Sequence, residues 1–413
     1  MQRSERRAAI AATLVLVIGM GFGRFAFTGL YPLMVADGQI SIGGGSYAAS
    51  SNYAGYLIGA LLAGFLSDIP ARRMCLHAVG LTVLALALLW FPLPEWAIIT
   101  VRGFAGVASA ISMVAASHWL IQDRQHHRGA PALFAGVGIG IFLSAEIIAL
   151  GDIIALPSRS IWLLLAVAAL PLAVIAIIMQ ARADRTRPSP AEAAHSDGHA
   201  HAALRPVRLI VIYGLAGFGY IITATYLPLL VSAALGSVDP VHIWAVFGLG
   251  AVPSCFLWHA LHVRWGTSRA LFLNLLVQAI GVVLPVLHTP TAYIASALLV
   301  GGTFMGTVTI AMPAARRVAA KVHFNMLAIM TASYGVGQIV GPLIASYLHA
   351  RGQSLDTSLL IAAGALVIAA FLSVQGRHST VRPPTSRVSG KREPEHALHS
   401  SHSREADPIA RVD

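Results

Sequence analysis

The stretch GFGRFAFTGLYPLMV at residues 21–35 returns as GFGYIITATYLPLLV at residues 217–231. Gly-Phe-Gly opens both copies, Pro-Leu and a final Val follow at the same spacing, and matching residues differ by 196 in number throughout. A second echo joins the glycine series at 136–140 to the one at 335–341. Two matches in the same order indicate that the chain is built from two related halves.

Both copies lie inside long apolar segments. Hydrophobic residues make up 56% of the chain and charged residues 11%, with a mean hydropathy of +0.72. Soluble domains carry roughly 25% charged residues, so this composition excludes an ordinary soluble enzyme. Apolar runs of about 20 residues, the length that crosses a bilayer as a helix, follow one another with short polar breaks. The chain is therefore predicted to be an all-α integral membrane protein.

We predict twelve transmembrane helices in two pseudo-symmetric six-helix bundles, residues 1–180 and 208–376. The cytoplasmic linker 181–207 and the tail 377–413 lack the apolar content to fold alone, and we expect the tail to be disordered. The predicted spans are 8–34, 46–66, 75–93, 96–120, 131–151, 160–180, 208–231, 241–262, 268–287, 291–313, 325–349 and 356–376.

The net charge of +11 would suggest a nucleic-acid partner in a soluble protein, so the placement of the basic residues decides its meaning. They cluster in alternate loops, and the intervening loops contain only Arg159 and Arg351. This positive-inside pattern predicts an even number of spans, with both termini on the cytoplasmic side of the membrane. We expect that membrane to be a bacterial inner membrane. The basic charge therefore reports the topology, and we expect no nucleic-acid partner. Cys75 and Cys255 fall within spans, where we expect them to pack rather than pair.

The sequence GFLSDIPARR at 64–73 resembles the signature loop between spans two and three of the major facilitator superfamily, with Ala71 in place of the usual glycine. A degenerate second copy, RWGTSR at 264–269, follows span eight, where the repeat predicts it. A plain positive-inside loop is the alternative. The resemblance covers residues 8–376 and implies alternating access, in which two bundles rock around a central site. The gating residues that it implies are Gly64, Asp68, Arg72 and Arg73.

Two arginines lie well inside predicted spans. Arg102 opens Arg-Gly-Phe-Ala-Gly at 102–106 in span four, which resembles the superfamily's arginine motif of that helix. Arg24 follows Gly-Phe-Gly in span one, in a sequence similar to that of a poorly characterised bacterial branch of the superfamily. An arginine within a span costs at least about 2.5 to 3.5 kcal/mol on insertion scales, so its default interpretation is functional. A buried structural ion pair is the alternative.

Glu146 in span five is the one acidic residue well inside a predicted span. By the predicted boundaries, Arg24, Arg102 and Glu146 lie on the outer side of the midplane, at depths that differ by roughly 5 Å. They could therefore meet, and an arginine that moved could switch the protonation of the carboxylate. We predict Glu146 as the proton site of coupled transport; static pairing or exposure at the lipid edge is the alternative.

Two arginines against one carboxylate leave a surplus of positive charge, which favours an anionic or carboxylate-bearing small-molecule substrate. The resemblance makes spans one, four, seven and ten the cavity helices. Polar side chains on spans seven and ten are therefore binding candidates, although such hydroxyls often only pack between helices. These candidates are Tyr220, Thr223, Tyr226 and Thr307. Further polar groups, including Gln278 and Gln338, cannot be assigned to a cavity face from the sequence.

Other functions stay open as alternatives. The glycine series of span five resembles an antiporter motif but lacks its proline, which leaves efflux of neutral or cationic compounds as one alternative. A non-transporting sensor on the same scaffold is another. Enzyme activity is disfavoured because we find no cluster of acids, metal ligands or a nucleophile with its base. We expect no cofactor, no metal in the histidine-rich linker and tail, and a monomer whose partners are the lipid bilayer, the substrate and a candidate coupling proton.

Overall fold

The computed structural model describes residues 2–65, 69–184, 204–234, 240–319, 322 and 326–374. All regular secondary structure in these residues is helical. The predicted disordered tail and most of the predicted linker lie outside the described residues, so nothing tests those expectations. The start of the predicted linker, up to Asp184, continues the helix before it.

In the first half, α1, a π-helix and α2 follow one another without a break and together form predicted span one. The helices of this half are α1 (Gln2–Leu16), the π-helix (Val17–Phe25), α2 (Ala26–Ala36), α3 (Ile42–Phe65), α4 (Ala71–Leu88), α5 (Glu95–Ser117), α6 (Ala130–Ile153) and α7 (Ser158–Asp184). The short helices His118–Asp123 and His127–Gly129 connect α5 to α6.

In the second half, one long helix carries two predicted spans. The helices are α8 (Pro206–Ala234), α9 (Pro240–Val283) with the short helix Leu284–Leu287, α10 (Pro290–Ala319), α11 (Met326–Ala350) and α12 (Leu355–Val374). A straight helix with the 44 residues of α9 would be about 66 Å long, roughly twice the apolar thickness of a bilayer. The helix is instead broken at Gly266, where φ is 79° and ψ is 170°, a conformation that glycine adopts more readily than other residues.

Ten helical segments among the described residues are long and apolar enough to cross a membrane. α3 is not among them, whereas Pro240–Leu287 counts once although it includes two predicted spans. The prediction of an all-α, multi-pass membrane protein is confirmed. The count of twelve, which needs α3 and both arms of α9, stays a prediction.

The two halves contact each other mainly along the helix pairs α2 with α8, α3 with α11 and α6 with α9. Between α2 and α8, Thr28 Oγ1 donates a hydrogen bond of 2.9 Å to the main-chain oxygen of Ala224. These two residues differ by 196 in number and are therefore counterparts in the repeat. Because counterparts related by a two-fold axis can touch only beside that axis, the contact indicates that the axis runs between α2 and α8.

Glycines bring α6 close to both of its main neighbours. A Cβ atom on Gly21 of the π-helix would collide with the main chain of Gly140. Across the halves, a Cβ atom on Gly248 of α9 would lie 2.6 Å from the nitrogen of Phe142 and 2.9 Å from the oxygen of Gly138. Neither contact leaves room for a larger side chain. α6 therefore packs backbone to backbone between the π-helix and the second half.

Candidate functional site

The π-helix Val17–Phe25 is nine residues long, and every one of its residues is buried. A π-helix has a wider turn than an α-helix and is rare; where it occurs, it often lies at a functional site. The change back to α-helix begins at Ala26, whose N–H bonds to the oxygen of Gly21 five residues earlier. This change of register lies two residues after Arg24, the residue that the sequence analysis singled out.

Arg102 stabilises the end of the π-helix from α5. Its two terminal nitrogens donate hydrogen bonds of 2.8 Å to the oxygen of Gly23 and 2.9 Å to the oxygen of Arg24. Its guanidinium carbon lies 4.6 Å from the ring centre of Phe27. In an apolar interior, carbonyls released by irregular backbone need such a donor. The terminal donors of Arg102 are thus occupied by main chain, so it is a positioning residue for Arg24.

Arg24 itself is 3% exposed and is surrounded by aromatic rings. Its guanidinium carbon lies 4.1 Å from the ring centre of Tyr56, 5.0 Å from that of Tyr53 and 5.3 Å from that of Phe25. Each ring face attracts a cation by about 0.5 to 2 kcal/mol. These rings stabilise the positive charge but do not neutralise it.

The hydrogen bonds of Arg24 are incomplete. One terminal nitrogen donates to Gln338 Oε1 at 2.8 Å, while Nε is buried without a partner among the described residues. Within the described part of the chain, neither Arg24 nor Arg102 has a carboxylate within 4.0 Å. In that part of the chain, Arg24 is therefore a buried cation with an unused donor and no anionic partner.

Gln338 of α11 connects Arg24 to Tyr220. Its amide oxygen accepts from Arg24, and its amide nitrogen donates to the hydroxyl of Tyr220. Tyr220 in turn stacks on Phe304 at 5.4 Å and on Tyr334 at 5.8 Å between ring centres. Arg24 and Tyr220 are repeat counterparts, 196 residues apart, so Gln338 joins the two equivalent positions of the two halves.

The other hydroxyl candidates have different surroundings. Tyr226 forms a hydrogen bond of 2.8 Å with Ser46 Oγ and donates one of 3.2 Å to the oxygen of Pro342, so it joins the two halves. Thr307 donates 2.7 Å to Asn274 Oδ1 inside the second half, which favours the packing interpretation. Thr223 is fully buried, and its hydroxyl has no partner among the described residues.

Glu146 is half-buried and has no ion pair within the ranges that the structure describes. The expected contact with Arg24 and Arg102 is not formed. On α6, the neighbouring residues Ala145 and Ile148 point into the core, while Glu146 points to a partly exposed side. Depth in the membrane could be estimated from residue numbers, but direction around the helix axis could not.

The predicted gating residues are only partly described, because Asp68 lies outside the described residues. Arg72 pairs with Asp184 at 3.8 Å between two half-exposed side chains, and Arg73 is exposed. An exposed pair of this kind contributes roughly 0 to 1 kcal/mol. A cavity of about 640 Å³ lies beside it, lined by Pro70, Ala71, Arg72, Arg73, Leu76, Trp119, Asp123, Arg124, Ile177, Gln180 and Asp184.

Further hydrogen bonds join the two halves, two of them from side chains of α3. Tyr53 bonds with Thr225 at 3.1 Å, and Ser50 donates 3.2 Å to the oxygen of Ile339. The indole nitrogen of Trp244 donates 3.0 Å to the oxygen of Phe25. With the Ser46–Tyr226 bond, these contacts join the halves on the side that the predicted topology places outside.

Sequence reasoning missed three members of the site: Tyr53, Tyr56 and the role of Gln338. Tyr53 and Tyr56 are three residues apart, which places them on one face of α3. An aromatic pair at helical spacing is common in helix cores, so this signal alone does not indicate a site. Gln338 was visible as a polar residue in an apolar helix, but not as the partner of Arg24.

Comparison with known proteins identifies the family of this chain. Residues 16–374 match the family model described as "Uncharacterised MFS-type transporter YbfB". A search of curated proteins found no match. The fold is similar to two crystal structures of the nucleoside transporter NupG, one of them of a point mutant, each with a TM-score of 0.62 and 15% identity over 90% of this chain and 98% of that chain. The chain belongs to the MFS-type transporter family represented by YbfB.

Proposed function

We propose that this protein is a secondary active transporter that moves a small anionic organic solute across the bacterial inner membrane by alternating access. The observation that carries the proposal is Arg24, a cation buried at the junction of the halves with no carboxylate within 4.0 Å in the described residues. A charged side chain in a membrane interior normally faces a partner or an aqueous pathway.

An anionic group on the solute would supply the missing partner. Guanidinium donors form a planar fork that matches a carboxylate or a phosphate, and charge-assisted bonds are about twice as strong as neutral ones. A cationic solute would instead be repelled by Arg24. These arguments favour an anion over the neutral or cationic compounds of the alternative.

The coupling ion is proposed to be a proton carried by Glu146. Its carboxylate lies within α6 and has no ion pair among the described residues. A proton could therefore bind there without breaking an ion pair. The inner-membrane location and the cytoplasmic termini are supported by the distribution of arginines. The protein is proposed to act as a monomer.

Counterflow in proteoliposomes tests the proposal. Purified protein is reconstituted, and organic acids, sugars and cationic drugs are compared with and without a proton gradient. We expect counterflow of at least one organic acid, and net uptake of that acid when the proton gradient is imposed. Exchange of cations in preference to acids would overturn the assignment of an anionic solute.

A further inference from the structure

We propose that the Gln338 side chain competes with the substrate for Arg24. In this structure its amide oxygen occupies the position on Arg24 that the anionic group of the solute takes, and its displacement breaks a link between the two halves. This inference rests on the proposed role of Arg24 as an anion site.

The first step of the argument concerns the chemistry of the Gln338 side chain. Its amide oxygen lies 2.8 Å from a terminal nitrogen of Arg24, and its residue is 1% exposed. An amide oxygen accepts a hydrogen bond with the same geometry as a carboxylate oxygen, but it carries no full charge. A glutamate at this position would complete a permanent ion pair. Glutamine instead satisfies one donor and leaves the charge of Arg24 available.

The second step is the balance between competing partners. A bond from Arg24 to a carboxylate is stronger than its bond to the neutral amide, so an anionic solute displaces Gln338. Arg24 Nε, which has no partner among the described residues, becomes a second donor to the solute. Displacement also frees the hydroxyl of Tyr220, which bonds to the Gln338 amide in this structure. The solute is therefore recognised by Arg24 and Tyr220 together, one from each half.

The third step is the coupling of binding to movement. Gln338 belongs to α11 of the second half and Arg24 to the π-helix of the first, so their bond crosses the junction. The next residue, Ile339, accepts the bond from Ser50 of α3. Loss of the Arg24–Gln338 bond removes the innermost of these cross-half contacts. Binding thus weakens the closure of the predicted outer side.

Two substitutions at Gln338 separate its roles. Gln338→Glu should form an internal ion pair with Arg24 that the organic acid must break. We expect exchange of the acid to fall by at least about 100-fold, which corresponds to about 2.8 kcal/mol. Gln338→Met retains the side-chain length but cannot compete for Arg24. We expect it to bind the acid about tenfold more tightly, because one hydrogen bond to a charged group is lost only from the empty state. Gln278→Met is the matched control, at an equally buried glutamine of α9 whose amide has no hydrogen-bond partner among the described residues.

A readout without solute tests the link itself. Spin labels at Tyr47→Cys on α3 and Tyr347→Cys on α11, both more than half exposed, report the separation of the halves by pulsed electron resonance. The native cysteines are buried and should not be labelled. We expect Gln338→Glu to narrow the distance distribution and Gln338→Met to add a longer distance. Unchanged distributions in both variants would overturn the inference.

The two proposals fail in different ways. If the wild-type protein exchanges no organic acid, the proposed function fails and this inference fails with it. If the wild-type protein exchanges an acid and both Gln338 variants do so with unchanged rate and affinity, only the inference fails. A gain in affinity in Gln278→Met equal to that in Gln338→Met would also contradict it.

Discussion

The first span and its repeat in α8 share a sequence pattern but differ in backbone and in charge. Gly-Phe-Gly begins both copies, yet the first forms the π-helix Val17–Phe25, whereas the second lies in the uninterrupted α-helix Pro206–Ala234. At counterpart positions the first copy has Arg24 and the second has Tyr220. The repeat therefore specifies where helices pack, and the departure from it identifies where a solute is recognised.

The neighbouring helices explain why only one copy departs from the α-helix. A π-helix within a span leaves carbonyls that need a donor, and Arg102 of α5 supplies two bonds. On α10 of the second half, the hydroxyls of Thr303 and Thr307 bond to their own helix and to Asn274 instead. Each hydroxyl has one proton to donate, so neither supplies a hydrogen bond to the main chain of α8. The asymmetry thus needs the arginine on α5 as well as the one on the first span.

The largest difference between the copies should appear when each counterpart is truncated. Arg24→Ala should reduce exchange of the organic acid by roughly 1,000-fold, because losing one partner of a buried charge pair costs about 3 to 5 kcal/mol. Tyr220→Phe removes one hydroxyl and should reduce exchange only about tenfold. Membrane yield and counterflow rate are measured for both. Full activity of Arg24→Ala would remove this residue from the site.

The second difference concerns the arginine that positions the π-helix. Arg102→Leu should destabilise the protein by about 3 kcal/mol, since two charge-assisted bonds to carbonyls are lost. Arg102→Lys can restore at most part of this loss because lysine lacks the planar fork. Thermal unfolding in detergent measures both. A loss of transport without a loss of stability would mean that Arg102 contacts the solute rather than positioning Arg24.

The third comparison concerns the two glycine positions that both copies share. A Cβ on Gly21 meets the main chain of Gly140, and a Cβ on its counterpart Gly217 meets the main chain of Tyr334, whereas a Cβ at the second position, on Gly219, meets the side chain of Leu366. We expect Gly21→Ala to destabilise by about 1 to 3 kcal/mol through overpacking, and Gly219→Ala by less. Gly364→Ala, with open space around the glycine, is the control. Equal melting temperatures for the Gly21 and Gly219 variants would contradict this distinction between main-chain and side-chain contacts.

The smallest effect on exchange is expected at Glu146. Glu146→Gln should leave counterflow nearly unchanged, because exchange needs no net proton movement, but it should abolish the pH dependence of gradient-driven uptake. Uptake across a pH series measures this, with Glu5→Gln near the start of α1 as the control. A pH profile equal to that of the wild-type protein would end the proposed proton role.

The parts that the sequence predicted and the parts that it missed have a common physical origin. Lipid requires each spanning segment to satisfy its own backbone, so helices could be placed from apolar runs. A charge within such a run is costly, and this marked Arg24 and Arg102. The Arg24–Gln338 contact joins residues 314 positions apart, and its prediction needs the packing of α11 against the first half. The direction in which Glu146 points depends likewise on how α6 packs between the π-helix and the second half.

The break at Gly266 has a mechanical consequence. The first arm of α9 touches α6 through Gly248, and the second arm follows after one non-helical residue. Arg317 of α10 bonds to His262 and Thr267, one on each side of the break, at 3.0 Å. Arg317 thus links the two arms of α9 across the break. We therefore expect a displacement of the first arm at the interface to move the second arm and α10 with it.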